Sequence, residues 1–182
     1  MRSDAIYCST RCRVAAHRHP IPAELRNLNR WIRYSKKKIP LTPTNKIASS
    51  THPHTWSDFR WASSSRAGRG LGFVFNGDGI IGIDLDNAFD EWGKLKEWAS
   101  KLIATLPSTY MEVSPSGHGL HIIGKGLVLA GRRWKFADGG IEIYGTGRFF
   151  TMTGKRFKAT PLRLNKLGTI VDVLEPIANS MA

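Results

Sequence analysis

Leu71-Gly72-Phe73-Val74-Phe75-Asn76-Gly77-Asp78-Gly79-Ile80-Ile81-Gly82-Ile83-Asp84-Leu85-Asp86 is the stretch on which the reading of the fold turns. Two apolar, β-prone runs flank Asn-Gly and Asp-Gly, dipeptides that accept the positive φ of a tight turn, so the stretch predicts a β-hairpin. Side chains alternate faces along a strand, so Asp84 and Asp86 share one face, about 6 to 7 Å apart at Cα, while Ile83 and Leu85 face the other way. Two ionised carboxylates that close repel, and burying either without a partner is costly. A divalent cation relieves both penalties, and oxygen ligands on a rigid strand suit Mg²⁺ or Mn²⁺ better than zinc. An isolated Asp-x-Asp is also explained by a strand that ends in a solvated turn, so the rest of the chain has to decide.

Outward from this hairpin, strands keep arriving in pairs. Residues 30–34 and 38–41 read as a basic hairpin, 109–113 and 119–123 as strands around Ser114-Pro115-Ser116-Gly117-His118, and 141–144 and 148–153 as two more joined at Gly145-Thr146-Gly147. Helices are expected over 23–29, over 56–64 with Thr55 as cap, over 91–106 with Pro107 as stop, and over 167–179. Trp92, Leu95, Trp98, Leu102 and Ile103 give the third of these its helical period. Hairpins with helices between them predict an α+β fold with a mixed or antiparallel sheet core. The chain divides into a basic leader (1–20), a main domain (21–160) and a C-terminal helix or truncated linker (161–182).

With 182 residues the chain fits one domain of ordinary size. Its 27 Lys and Arg against 14 Asp and Glu give a net charge of +13, which favours a polyanionic partner such as nucleic acid. Residues 1–70 hold 14 of the basic and 3 of the acidic side chains, so the acidic residues concentrate where the paired carboxylates lie. No apolar run reaches membrane-spanning length, and the basic N-terminus lacks an apolar signal segment, from which a cytoplasmic protein is expected. Cys8 and Cys12, at Cys-x3-Cys spacing beside His17 and His19, resemble half of a zinc ribbon; the first knuckle is absent, and a vestigial leader is the favoured reading over an intact site.

Two further stretches carry chemistry. Ser114-Pro115-Ser116-Gly117-His118-Gly119-Leu120-His121 sets hydroxyls and glycines beside histidines, a composition that suits phosphate and is explained as well by a glycine-rich turn next to a core histidine. Glu142, between Ile141 and Ile143, repeats the anomaly of an acid inside an apolar strand, unless a buried arginine pairs with it. Three misplaced carboxylates and a glycine-flanked histidine on separate strands are harder to dismiss together than singly. Arg30, Arg33, Lys36, Lys37 and Lys38 are the candidates for DNA contact, against the alternative of a solvated face. Trp31, Tyr34, Trp56 and Trp61 lie among them, most of them core residues by expectation.

The order Gly82-Ile83-Asp84-Leu85-Asp86, Ser114 through His121, Gly140-Ile141-Glu142-Ile143-Tyr144 and Arg148-Phe149-Phe150-Thr151-Met152-Thr153-Gly154 resembles the archaeo-eukaryotic primase superfamily. The likeness is to the primase-polymerase domains of phages and other mobile elements. Ile21-Pro22-Ala23-Glu24-Leu25, Trp31, Lys38-Ile39-Pro40 and Thr55-Trp56 resemble the N-terminal part of that group, so the resemblance spans roughly 21 to 157. It implies that Asp84, Asp86 and Glu142 bind catalytic Mg²⁺ or Mn²⁺ and that His121 contacts the triphosphate of an incoming nucleotide. Ser116, Gly117, His118 and Arg148 follow as further triphosphate contacts, with Lys125 or Arg148 stabilising phosphate charge. The implied partners are a single-stranded DNA template, nucleoside triphosphates and a separate replicative helicase, since the chain has no Gly-x4-Gly-Lys-Ser/Thr loop of its own. A two-metal nuclease, a non-catalytic DNA-binding replication-initiator module and a truncated remnant are the competing readings.

Overall fold

The computed structural model describes residues 19–168 and 170–180. The leader with Cys8, Cys12 and His17 lies outside them. Four antiparallel strands form the first sheet, in the order β2-β1-β3-β9, with β1 Trp31–Tyr34, β2 Pro40–Leu41, β3 Gly70–Asn76 and β9 Thr146–Met152. Five form the second, in the order β5-β6-β4-β8-β7, with β4 Ile80–Asp86, β5 Tyr110–Val113, β6 Leu120–Lys125, β7 Arg132–Phe136 and β8 Gly139–Tyr144. Every pairing between these strands is antiparallel. The described residues also form four α-helices: α1 Ala23–Arg26, α2 Phe59–Ser64, α3 Glu97–Thr105 and α4 Ile170–Asn179. The α+β class is as expected, and the sheets are antiparallel rather than mixed.

The central hairpin is not one. β3 lies between β1 and β9 in one sheet, and β4 between β6 and β8 in the other. Gly77 and Gly79 do take positive φ, 87° and 90°, but the turn they build is a corner between sheets. A register shift between Phe75 and Asn76 interrupts the pairing of β3 with β9 just before its last pair, Asn76 with Thr146. The junction at Gly145 between β8 and β9 makes the same change of sheet, and the Gly77 N–H donates to the Gly145 carbonyl at 2.8 Å, tying the two corners together. Local turn chemistry allows a reversal, whereas the choice of partner strand depends on which edges the rest of the chain leaves free.

The alternation along β4 positions the site. Ile81, Ile83 and Leu85 face a core shared with Leu102 of α3 and Ile170 and Leu174 of α4. On the opposite face Ile80 joins Trp31, Phe73, Phe75 and Phe150 between the two sheets. A Cβ at Gly82 would lie 2.6 Å from the Phe150 ring and closer still to Phe75, so the sheets pack closely over this glycine. Burial on that face then falls, from buried Ile80 and Gly82 to half-buried Asp84 and exposed Asp86. The sheets therefore splay toward the end of β4, and the carboxylates stand where they part.

Several element boundaries differ from expectation. The helix expected from residue 91 begins at Glu97, because Asp90 Oδ1 accepts the Trp92 and Lys94 N–H groups in a competing turn around Gly93, at φ 74°. Trp92 is consequently 75% exposed. α2 starts at Phe59, capped by Asp58 through the Trp61 N–H at 2.7 Å rather than by Thr55, since Ser57 is already bonded to Trp31 of β1. β7 was not expected at all. The basic stretch 63–70 is tied to β1: Arg33 Nε donates to the Ala67 carbonyl at 2.7 Å and the Arg69 N–H to the Tyr34 carbonyl at 2.6 Å. Beyond residue 160, Leu164 and Leu167 are buried and α4 packs into the main core.

Candidate active site

One rung of the five-stranded sheet holds the candidate chemistry. Glu112 of β5 is the cross-strand neighbour of His121 on β6, His121 of Asp84 on β4, Asp84 of Glu142 on β8, and Glu142 of Arg133 on β7. Directly opposed residues share a face, so all five project to the same side. The middle three, His121, Asp84 and Glu142, line a cleft of about 900 Å³ whose other walls include Tyr34, Lys36, Lys38, Arg69, Ser116 and Arg148.

Fully buried Glu112 is the anchor of the rung. Its carboxylate accepts from the Tyr110 hydroxyl at 2.8 Å and from the backbone N–H groups of Thr153 and Gly154 at 3.0 and 2.8 Å. Its Oε1 also lies 3.2 Å from His121 Nδ1. A hydrogen on Nδ1 is thus donated to Glu112, and Nε2 is turned toward Asp84, 3.8 Å away. The His121 ring stacks on Phe150 with centroids 4.8 Å apart, which holds its plane. Burial and the adjacent Glu112 carboxylate together push the Tyr110 phenol far above its ordinary range.

Asp84 is held against its charge. Burial pushes its carboxyl up to about 6; His121 and Lys38 oppose the rise, while Asp86 and Glu142 add to it. Its Oδ1 is buried with no hydrogen-bond partner. Such an orphaned oxygen beside two more carboxylates is the donor set of a hard cation, so the residues fit Mg²⁺ or Mn²⁺. Glu142 has its oxygens engaged, Oε1 by Arg133 Nε at 2.6 Å and Oε2 by the Tyr144 hydroxyl at 2.9 Å. Among the described residues, no three His, Cys, Asp or Glu side chains already converge as a metal cage.

The expected residues divide as follows. Asp84, Asp86, Glu142, His121, Ser116 and Arg148 line the same cleft, and Lys36 and Lys38 reach it from the turn between β1 and β2. Gly117, at φ 82°, and exposed His118 shape the turn before β6 without lining the cleft. Lys37 is exposed in the basic turn. Arg33 is half-buried and committed to the 62–67 backbone. Arg30 has to be withdrawn as a DNA contact: it is 4% exposed, pairs with Asp78 at 2.9 Å and Asn76 at 2.6 Å, and lies over the Phe73 ring. Lys125 is also misplaced, since it pairs with Glu24 at 2.6 Å at the far end of β6, opposite Ile80. Of the tryptophans, Trp31 is fully buried and Trp61 is 52% exposed. Sequence reasoning missed Glu112, Arg69 and Arg133. Glu112 sits in Met111-Glu112-Val113, the same acid-in-apolar-strand signal that singled out Glu142.

No protein-family model matches the chain. Over 139 residues, 70% of this chain, it is 42% identical to the DNA primase-polymerase of Nitratiruptor phage NrS-1 and covers 19% of that protein. The chain thus spans about a fifth of the length of the curated relative it matches. No helix among the described residues is long and apolar enough to cross a membrane.

Proposed function

We propose that this chain, which carries a primase-polymerase domain of the phage type, transfers nucleotidyl groups from nucleoside triphosphates to a 3′-hydroxyl on a single-stranded DNA template, making primers and extending them. The observation that carries the reading is the rung His121–Asp84–Glu142 at the floor of a cleft rimmed by Lys36, Lys38, Arg69 and Arg148. Mg²⁺ or Mn²⁺, held by Asp84, Asp86 and Glu142, would supply the positive charge that activates the 3′-hydroxyl and neutralises the leaving pyrophosphate. The protein's own contribution is placement. Glu112 aims His121 Nε2 into the cleft, within reach of a phosphate oxygen bound beside Asp84. Ser116 and Arg148 flank the same space and suit the outer phosphates, where charge builds as the leaving group departs. Lys36 and Lys38 reach the cleft from the turn of the other sheet, with Lys37 exposed between them, and the three suit a template backbone.

The decisive assay supplies Mn²⁺ or Mg²⁺, all four nucleotides and a single-stranded template. Labelled oligonucleotides are expected from the natural chain and none from the Asp84→Ala, Asp86→Ala double variant. Equal product from both would remove these carboxylates from the mechanism. Template degradation without incorporation would favour the two-metal nuclease, and template binding with neither product the initiator module.

A further inference from the structure

β7 carries a second groove continuous with the cleft. It measures about 350 Å³, shares Asp86 and Glu142 with the cleft, and is walled on its outer side by Arg133 and Lys135. Arg133 and Lys135 are the cross-strand neighbours of Glu142 and Gly140, and Gly140 in turn of Asp86. Both cations therefore project on the carboxylate face, while Trp134 and Phe136 turn to the helix side and pack on the core. Gly140 puts no side chain between Asp86 and Lys135, so the floor of the groove is bare backbone. A Cβ there would sit 3.8 Å from the Asp86 Cβ and 3.2 Å from the Trp134 carbonyl, narrowing the slot.

Only part of the positive charge of this groove is spent. Among the described residues Lys135 makes no ion pair or hydrogen bond, and the nearby acid Asp138 is taken by Lys96 at 2.6 Å. Arg133 gives its Nε to Glu142, and its side chain is 52% exposed. Two cations beside a bare floor, adjoining two carboxylates, complement a chain of phosphodiesters that passes the acids without a base-specific pocket. His121, Ser116 and Arg148 lie elsewhere along the cleft, with His121 across the carboxylate strands from β7, so the two flanks offer separate places for two phosphorylated ligands.

We infer that the β7 groove, through Lys135 and Arg133, binds the phosphate backbone of the growing primer strand next to its 3′ end. The inference rests on the nucleotidyl-transfer reading and adds to it the side on which the primer enters. It is tested by fluorescence anisotropy with a labelled recessed primer–template and with the bare template, over a range of salt, alongside primer extension. Lys135→Glu is the main variant and Lys135→Gln the milder one; the side chain is exposed and unpartnered, so neither removes a folded-state contact. Lys135→Glu is expected to weaken primer–template binding about ten-fold, and Lys135→Gln to flatten its salt dependence by about one ion. Template binding should change less than two-fold, and the KM for nucleotide should hold. Unchanged primer–template affinity in both variants, or an equal loss for both nucleic acids, overturns the inference while wild-type extension keeps the parent reading. A natural chain that neither extends the primer nor prefers the recessed duplex removes both.

Discussion

Asp84 stores unfavourable electrostatic energy that substitution can release. Its carboxyl titrates near 3.8 when free and is pushed up to about 6 in the fold by burial first and by Asp86 and Glu142 next. The folded state therefore holds this proton more tightly than the unfolded chain does. Stability falls as pH rises from about 4, and the penalty is complete above about 6. In a metal-free buffer with chelator, Asp84→Asn should accordingly stabilise the protein by about 2–3 kcal/mol at pH 8 and by almost nothing at pH 4, as read by urea denaturation at the two pH values. A variant equally stable with the parent at pH 8 would show that the carboxylate is not under this strain. At this scale the sequence was partly legible. Asp84, Asp86 and Glu142 announce themselves as acids in apolar strands, and Glu112 carries the same mark in Met111-Glu112-Val113. The burial of Arg30 was not legible, because its partners Asn76 and Asp78 meet it only at the corner between sheets.

Among the elements, β4 shows how one strand serves two cores and a site. Ile81, Ile83 and Leu85 build the helix-side core, Ile80 and Gly82 the contact between sheets, and Asp84 and Asp86 the cleft. Gly82 leaves no room for a side chain, lying against the Phe75 and Phe150 rings. Gly82→Ala should cost about 2 kcal/mol by overpacking, measured as a lower urea midpoint at unchanged slope. Because Phe150 also stacks on His121 at 4.8 Å, the variant should lose nucleotide incorporation beyond what its unfolded fraction explains. Full activity in the folded fraction would separate the sheet contact from the site. Strand identity was readable from alternation and β-branched residues, whereas β7 was not. Arg132-Arg133-Trp134-Lys135-Phe136 buries only its two aromatics in part, so the pattern lacks a fully apolar face.

On the scale of the whole molecule, the +13 net charge is distributed between structural and available cations. Arg30→Ala should destabilise the protein by about 2–3 kcal/mol through the lost buried pair, with template affinity of the folded protein unchanged. The opposite is expected of a triple variant in the β1–β2 turn: Lys36→Ala, Lys37→Ala and, because this residue sits at φ 57°, Lys38→Gly. It should keep its stability and lose roughly two units of the salt slope for single-stranded DNA, as three phosphate contacts require. Denaturation and anisotropy on both variants check the division; a destabilised triple variant, or weakened binding by Arg30→Ala, would reverse it. What is local in physics was set along the chain: the two-residue alternation that puts Asp84 and Asp86 on one face, the positive-φ turn at Gly77 and Gly79, and the surplus of basic residues before residue 70. Which strands would pair was not local. The sheet partners of β3 and β4, the splaying of the sheets beyond Gly82, and the rung Glu112–His121–Asp84–Glu142–Arg133 followed from closing two antiparallel sheets over shared apolar cores. Register across five strands depends on every edge being satisfied at once, and no single stretch of sequence contains that condition.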